Sequence, residues 1–350
     1  MQTLRHLFAR ATFITLLSLT GGCTAPLVAN VRNEAEVGAP AWPAPPSPTR
    51  IRYSHSFSGP GDLGIAKSLY QRLVDALVGR GEEQMVRPTG ITEHDGRIYV
   101  ADPGAPALWI LDPARGHFAK VESAGDGPFV SPVAVAVRPD GAVFVADTGL
   151  KKVLMLDREG RFIRVAAQAD LQRPAGLAYD PSTQRLYVVD SLLHRVLVYD
   201  GDGNLVRGWG RKGTGDGEFN YPTHVAIDAT GTVLVTDALN FRIQAFDRDG
   251  RFLWKFGRHG DGSGDLSAPK GVGADSGGHV YVVDALFDAV QIFDRDGTLL
   301  LSFGEKGARA GQFGRPGGLF VSAQGRIFVA DAYNHRVQIF IAVAGAETRP

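Results

Sequence analysis

Acidic and basic side chains recur at a fixed spacing along this 350-residue chain, and they are the first groups whose chemistry needs an interpretation. Among them are three pairs in which an arginine follows an aspartate by five residues, Asp190 and Arg195, Asp237 and Arg242, and Asp331 and Arg336. A carboxylate beside a guanidinium can bind a charged ligand or stabilise a loop. Since a reaction needs one constellation rather than several copies, we interpret the pairs as loop caps, in which the aspartate caps its loop through the local backbone and the arginine pairs with the aspartate or with the next blade.

One histidine departs from the pattern around it. Two residues after a recurring proline the chain has a small residue at Gly90, Ala134, Gly176, Gly271 and Gly318, and the remaining copy has His224 there. A single imidazole at this position can donate to a bound anion or to a neighbouring loop. The candidate ligand-binding residues are therefore His224, Arg195, Arg242, Arg336, Asn240, Asn334 and Tyr333. We assign no catalytic residue, metal ligand or cofactor.

A repeated unit of four short apolar runs must position these residues. In residues 222–257 the runs are rich in β-branched and aromatic side chains and are separated by turn sequences such as Asp249-Gly250, which predicts a four-stranded antiparallel meander. The proline that opens the unit recurs at Pro88, Pro132, Pro174, Pro222, Pro269 and Pro316. The aspartate that ends its second strand recurs at Asp102, Asp147, Asp190, Asp237, Asp284 and Asp331. Six copies at this period predict an all-β, six-bladed β-propeller over residues 51–341.

The last copy lacks its own fourth strand, because no turn follows residues 336–341 and the chain continues into a tail, 342–350. Residues 51–57 match the fourth strand of the other units. We therefore expect 51–57 to pair with 336–341, so that a strand from the N-terminal side completes the sixth blade and removes an exposed edge.

The segment between this closing strand and the first blade predicts one inserted helix, at about 62–80. Ile65, Leu69, Leu73 and Leu77 repeat every four residues and would form its apolar stripe. The insertion should emerge on the face that carries the loops after the repeated aspartates. The helix would then either cover part of the channel mouth or pack on the outer side of the sixth and first blades.

Residues 1–23 are typical of an export signal. Arg5 and Arg10 precede an apolar run, 11–19, that is too short to span a bilayer. The run ends in Thr20-Gly-Gly-Cys23, which resembles the bacterial lipobox, although that motif prefers leucine where Thr20 stands. The alternative is an ordinary secretory signal with an incidental cysteine. A lipid on Cys23 and the proline-rich segment 24–50 as a tether would hold the domain at the bacterial cell envelope, in the periplasm or at the outer membrane.

The segment from Asp331 through Asn334, His335 and Arg336 to Phe340 resembles the NHL repeat, and Asp237 to Phe246 follows the same pattern. The resemblance covers about 290 residues and implies a six-bladed propeller, with departures at Ala107 and Ala289, which replace the arginine. Peptide-amidating lyases of the NHL family hold zinc with three histidines at the channel mouth. Here no other histidine stands near the start of an inner strand, so the resemblance does not imply a zinc site.

Composition narrows the function classes. Lys and Arg number 37, as do Asp and Glu, so no global field attracts nucleic acid. Some NHL propellers bind nucleic acid through a basic face, but Lys152, Arg195, Arg242 and Arg336 each have a carboxylate five residues upstream. We therefore expect a scaffold that binds a protein or peptide partner in the envelope through its loops. The alternative is a metal-assisted lyase or lactone hydrolase around His224.

Overall fold

In the computed structural model, which describes residues 38–66, 83–168 and 170–343, short strands follow one another in antiparallel meanders. The strands are apolar runs that end at glycine- and aspartate-rich turns, as in the unit predicted from residues 222–257. Six sheets result, which confirms the all-β, six-bladed propeller. We number these sheets as blades 1 to 6 in chain order of their inner strands.

Each blade places its first strand innermost and its fourth strand outermost. The strands of blade 1 are Gly90–His94, Arg97–Asp102, Ala107–Asp112 and His117–Val121. Those of blade 2 are Pro132–Val137, Val143–Asp147, Lys152–Leu156 and Phe162–Ala167. Those of blade 3 are Pro174–Asp180, Arg185–Asp190, Arg195–Tyr199 and Leu205–Trp209. A two-stranded ribbon, Ser123–Ala124 with Gly127–Pro128, lies between blades 1 and 2 in the chain.

The second half of the ring repeats this plan. Blade 4 contains Pro222–Ile227, Val233–Asp237, Arg242–Phe246 and Phe252–Phe256. Blade 5 contains Pro269–Ala274, Val280–Asp284, Ala289–Phe293 and Leu299–Phe303. Blade 6 contains Leu319–Val321, Arg326–Asp331, Arg336–Ala342, Ile51–Phe57 and Ala41–Trp42. Short 3-10 turns are Pro60–Leu63, Pro113–Arg115, Ala238–Asn240 and Ala332–Asn334.

Blade 6 is closed by a strand from the N-terminal side of the domain, as predicted. Ile51 pairs with Ala342 and Phe57 with Val337 in an antiparallel ladder with one irregularity after Tyr53. The ladder joins the two ends of the propeller in one sheet, so the last blade does not present Arg336–Ala342 as an unpaired edge.

A fifth strand extends this sheet into the segment predicted as a tether. Ala41 pairs with Arg52 and Trp42 with Ile51. The Trp42 ring lies 5.6 Å from that of Phe303 in blade 5 and 5.9 Å from that of Phe340 in blade 6. The end of the proline-rich segment is therefore part of the domain and packs at the junction of these two blades.

The insertion before blade 1 begins with the 3-10 turn Pro60–Leu63. Ile65 and Met85 are buried with Phe57 in the core between blades 6 and 1, and the Met85 N–H donates to the Ser58 carbonyl at 2.8 Å. Most of the predicted helix at 62–80 falls within residues 67–82, outside the described residues, so it stays a prediction. Among the described residues, no helix has the length and hydropathy needed to cross a membrane.

The core is divided into six clusters, each formed by two adjacent blades. Between blades 3 and 4, for example, Tyr187 and Val189 pack with Val225 and Phe246. Because each blade buries its faces only against its neighbours, the closed ring is required to bury all six clusters.

Candidate functional site

The second strands end, and the inner strands begin, on one side of the propeller, which we call the top face; its centre is the mouth of the channel. The six repeated aspartates lie here, and all are fully buried. The carboxylate of Asp102, for example, accepts the N–H groups of Val86 at 2.7 Å and Arg87 at 2.9 Å, immediately before the inner strand. Both bonds recur in blades 2, 3 and 5, and one of the two recurs in blades 4 and 6. We call these residues the aspartate ring; it fastens each inner strand to its blade.

Two of the candidate arginines complete this ring. The Arg242 Nε donates to Asp237 at 2.7 Å, and the rest of its guanidinium donates to backbone carbonyls within residues 214–218. Arg336 binds Asp331 at 2.8 Å and two further carbonyls in the same manner. Their donors are thus used inside the protein, which agrees with the interpretation of the pairs as loop caps.

The two candidate asparagines have the same role. Asn240 Nδ2 donates to the Gly213 carbonyl at 2.9 Å and to Asp237 at 2.8 Å. Asn334 makes the equivalent contacts in blade 6. These bonds hold the glycine-rich connection that enters each blade against its aspartate.

Arg195 and Tyr333 remain available to a ligand. In blade 3 the carboxylate of Asp190 accepts only backbone N–H groups, and the exposed Arg195 has no ion pair among the described residues. The Tyr333 side chain is 64% exposed. The sequence-predicted residues of blades 3, 4 and 6 therefore do not converge on one site, and His224 is the one that lies at the mouth.

His224 lies in an irregular part of its strand. Pro222 pairs with Asp237 and Val225 with Val235, so Thr223 and His224 together oppose a single residue. Such a β-bulge turns side chains away from the regular alternation. The imidazole is half-buried, and within the described residues its Nδ1 is buried without a hydrogen-bond partner, as is the Thr223 hydroxyl. Burial, and then the positive charge of Lys270, lowers the pKa of His224 to about 3, so the ring is neutral near pH 7.

Lys270 occupies the equivalent bulge of blade 5, where Pro269 pairs with Asp284 and Val272 with Val282. The side chain is half-buried, and no carboxylate of the described residues lies within ion-pair distance of it. Burial, and then the charge of Arg173, lowers the pKa of Lys270, whereas Asp284 acts in the opposite direction. Arg173 stands directly before the inner strand of blade 3, and Lys270 is the second residue of the inner strand of blade 5, so both cations lie where inner strands begin on the top face.

A signal for these residues is present in the sequence. After the opening proline the other copies have Thr89, Val133, Ala175, Thr223 and Gly317, so Lys270 is the only charged residue at this position. Arg173 comes directly before the proline of blade 3. Neither residue is revealed by the position two residues after the proline, where His224 departs from the other copies.

The small residue two positions after the proline has a steric reason. A Cβ atom added to Gly176 would lie 2.7 Å from the Thr223 carbonyl oxygen and 2.9 Å from the His224 Cα. Adjacent inner strands therefore approach so closely at the mouth that most blades admit only glycine or alanine.

The donor set around His224 does not fit a metal ion. Zinc sites need three or more histidine, cysteine or carboxylate ligands, and calcium sites need several oxygens. Within residues 38–66, 83–168 and 170–343 no group of three such residues is placed to hold a metal. The charged group that acts on His224 is the cation of Lys270, which would repel a metal ion.

The top face also carries exposed apolar side chains from every blade. They are Val86, Val130, Leu192, Leu239, Leu286 and Tyr333, with exposed fractions from 42% to 64%. We call this set the apolar ring. Its last four members lie in the loops that follow the repeated aspartates, whereas Val86 and Val130 precede the inner strands of blades 1 and 2.

Two protein-family models match parts of the sequence. The family model described as SMP-30/Gluconolactonase/LRE-like region matches residues 80–259, which is more than half of the chain, and the NHL-repeat model matches residues 313–340. Comparison of the sequence with curated proteins gives no match.

Solved structures share the fold. A selenomethionine form of virginiamycin B lyase from Staphylococcus aureus has a TM-score of 0.57 and 14% identity, covering 75% of this chain and 97% of that one. An auxiliary nutrient binding protein from Bacteroides thetaiotaomicron has a TM-score of 0.58 and 13% identity, covering 73% and 69%. At such identities the likeness establishes the architecture alone.

Proposed function

We propose that the chain, which belongs to the SMP-30/gluconolactonase/LRE-like family of propellers, is a scaffold that docks a protein or peptide partner on its top face. Solved structures of this architecture include both a lyase and a binding protein. The apolar ring is the observation that carries this proposal. Six blades each present a large apolar side chain on one side of the ring, around a cationic mouth. Exposed apolar side chains grouped on one face of a protein are typical of interaction sites.

Most of the other exposed apolar residues have a local explanation. Six of them lie on outermost strands, which are exposed at the sheet edge: Phe162, Ile163, Leu205, Val206, Leu253 and Leu300. They are spread over blades 2 to 5 and do not surround a common centre. The apolar ring, in contrast, surrounds the mouth and suits a partner that inserts apolar side chains beside a central polar group.

The proposed location follows from the sequence. Lipid on Cys23 would hold the protein at the bacterial envelope, and the partner would be another envelope protein. A Cys23→Ser variant should leave the membrane fraction and lose labelling by a radioactive fatty acid. Membrane retention without the cysteine would contradict the lipid anchor.

The docking proposal is tested with two matched triple variants of the full-length protein. Leu239→Ser, Leu286→Ser and Tyr333→Ser alter the apolar ring, whereas Leu205→Ser, Leu253→Ser and Leu300→Ser alter outer strands with similar exposure. Chemical crosslinking in intact cells, followed by quantitative mass spectrometry, should identify partners that are reduced about tenfold by the first variant and retained by the second. Equal retention by both variants would contradict docking at the apolar ring.

A metal-assisted lyase or lactone hydrolase is the weaker alternative, because the groups around His224 are cationic. Metal analysis of the purified protein separates the two functions. Stoichiometric zinc or calcium that is lost in His224→Ala, together with turnover of a lactone or cyclic ester, would favour the enzyme.

A further inference from the structure

The mouth of the channel contains polar groups that the propeller itself does not satisfy. The Thr223 hydroxyl and the His224 Nδ1 are buried without hydrogen-bond partners among the described residues. The half-buried Lys270 is not neutralised by an ion pair within the described part of the chain. Buried polar groups are nearly always paired in folded proteins, so such a set at one place indicates a missing partner.

The backbone brings these groups to one point. Blades 4 and 5 are adjacent, and the same two-residue bulge interrupts both inner strands at the top face. The bulge of blade 4 presents Thr223 and His224, and that of blade 5 presents Lys270. Since bulges reorient side chains beside functional sites, their coincidence here assigns the unsatisfied groups to the mouth.

A third element adds a cation. Arg173, directly before the inner strand of blade 3, is exposed, and its side chain makes neither an ion pair nor a hydrogen bond with the described residues. Arg87 and Arg315 stand at the same position in blades 1 and 6 and are also exposed. A rim of positive charges produces a positive electrostatic potential at the mouth, which attracts anions.

We propose that Thr223, His224, Lys270 and Arg173 form an anion site that binds a carboxylate group at the mouth of the channel. The hydroxyl and the imidazole offer hydrogen bonds, the ammonium a charge, and the guanidinium a planar fork that matches a carboxylate. This site uses different residues from the apolar ring and does not depend on the docking proposal.

The charge of the site selects a carboxylate over a phosphate. The titratable groups that act on its members are Lys270 and Arg173, which are positive, and Asp284, which is negative; the imidazole is neutral. Counted over Lys270, Arg173 and Asp284 alone, without the rim arginines Arg87 and Arg315, the formal charge is +1, and one carboxylate neutralises it. A phosphate dianion would leave a negative charge beside Asp284, which is fully buried with its oxygens bound to N–H groups.

The test is nuclear magnetic resonance of the histidine rings in the full-length protein, with His224 assigned through His224→Asn. Titration with acetate at constant ionic strength should move the His224 resonances saturably and raise the pKa of this ring. Lys270→Met and Arg173→Gln should each weaken binding about tenfold, the effect of losing one favourable charge interaction. Lys212→Met and Arg251→Gln, which remove exposed cations away from the mouth, should leave binding unchanged.

Two sources of the carboxylate are distinguished by two further probes. A leucine-rich peptide with a free C-terminal carboxylate that binds more tightly than both acetate and its own amide would assign the site to a docked partner. Equal binding of acetate and the peptide would assign it to a free organic acid. The proposal is overturned if neither probe saturates, if the two control variants weaken binding as much as Lys270→Met, or if inorganic phosphate binds more tightly than acetate.

Discussion

The aspartate ring and the channel mouth lie side by side on the top face, but the polar groups of the ring are paired, whereas several of those at the mouth are not. In the ring, Asp237 accepts hydrogen bonds from Arg242, Asn240, Gln244 and a backbone N–H. At the mouth, two residues of the same strand hold a buried hydroxyl and a buried ring nitrogen that have no hydrogen-bond partner in the described part of the chain. The same propeller therefore satisfies one set of polar groups completely and leaves the neighbouring set open.

This difference in hydrogen bonding distinguishes structural residues from candidate ligand-binding residues more clearly than residue type does. A carboxylate beside an arginine has the composition of an active site, but its bonds to the backbone show that it holds the loop. A threonine, a histidine and a lysine in two bulges have no such structural use. An unsatisfied buried polar group costs free energy. A ligand that makes hydrogen bonds with the groups at the mouth would recover that free energy on binding.

The largest expected effect comes from removing an arginine that pairs with the aspartate ring. Arg242→Ala removes the cation that pairs with the buried Asp237 and should destabilise the protein by about 3–5 kcal/mol, the usual cost of leaving a buried charge unpaired. Arg195→Ala removes an exposed arginine at the equivalent position of blade 3 and should change stability by less than about 0.5 kcal/mol. Urea unfolding measures both variants.

This pair of variants also tests the comparison itself. If Arg195→Ala were as destabilising as Arg242→Ala, the blade 3 arginine would have a structural partner that the described residues do not show. If both were neutral, the ring would not stabilise the loops, and its arginines would again be candidates for ligand binding.

Most of the fold could be predicted from the sequence, because the same pattern of residues occurs in six copies. The opening proline, the aspartate and the turn glycines appear in each copy, so an error in one copy is corrected by the others. The closing strand 51–57 was predictable for the same reason, as the last copy lacked its fourth strand. The strand Ala41–Trp42 could not be predicted, since two residues among prolines carry no periodic signal and are held by contacts with Phe303 and Phe340.

The site was predicted less completely, because a site is a departure from the repeat. His224 was found since it replaces a small residue. Lys270 had an equally clear signal at the preceding position, but only the paired bulges show that the two residues face one mouth. The candidates Arg242, Arg336, Asn240 and Asn334 could be set aside only when their hydrogen bonds were known.

The second expected effect is a pH dependence from the mouth. The folded pKa of His224 is about 3, below the ordinary 6.5, so between these values the unfolded chain binds a proton that the folded protein does not. Stability should therefore fall as the pH decreases through this window. From about pH 7 to about pH 4.5 the wild type should lose about 2 kcal/mol more than His224→Asn.

The comparison with His224→Asn is needed because His55 also has a lowered pKa, through burial and the charge of Arg326, and contributes in the same direction. Urea unfolding at both pH values, with and without acetate, gives the required differences. Identical pH dependence in the wild type and the variant would mean that the imidazole is solvated, and the contrast between ring and mouth would lose one of its main supports.

The smallest expected effect has the opposite sign and is the sharpest test of the contrast. Lys270→Met keeps an unbranched side chain but removes a cation whose pKa is lowered by burial and by Arg173, so it should stabilise the protein by up to about 1 kcal/mol. The pKa of His224 should rise toward its ordinary value, because Lys270 is one cause of its depression. Thermal unfolding and histidine resonances measure the two changes, with Lys212→Met as the neutral control. A loss of stability in Lys270→Met would show that the ammonium already has a structural partner, and the mouth would then resemble the ring.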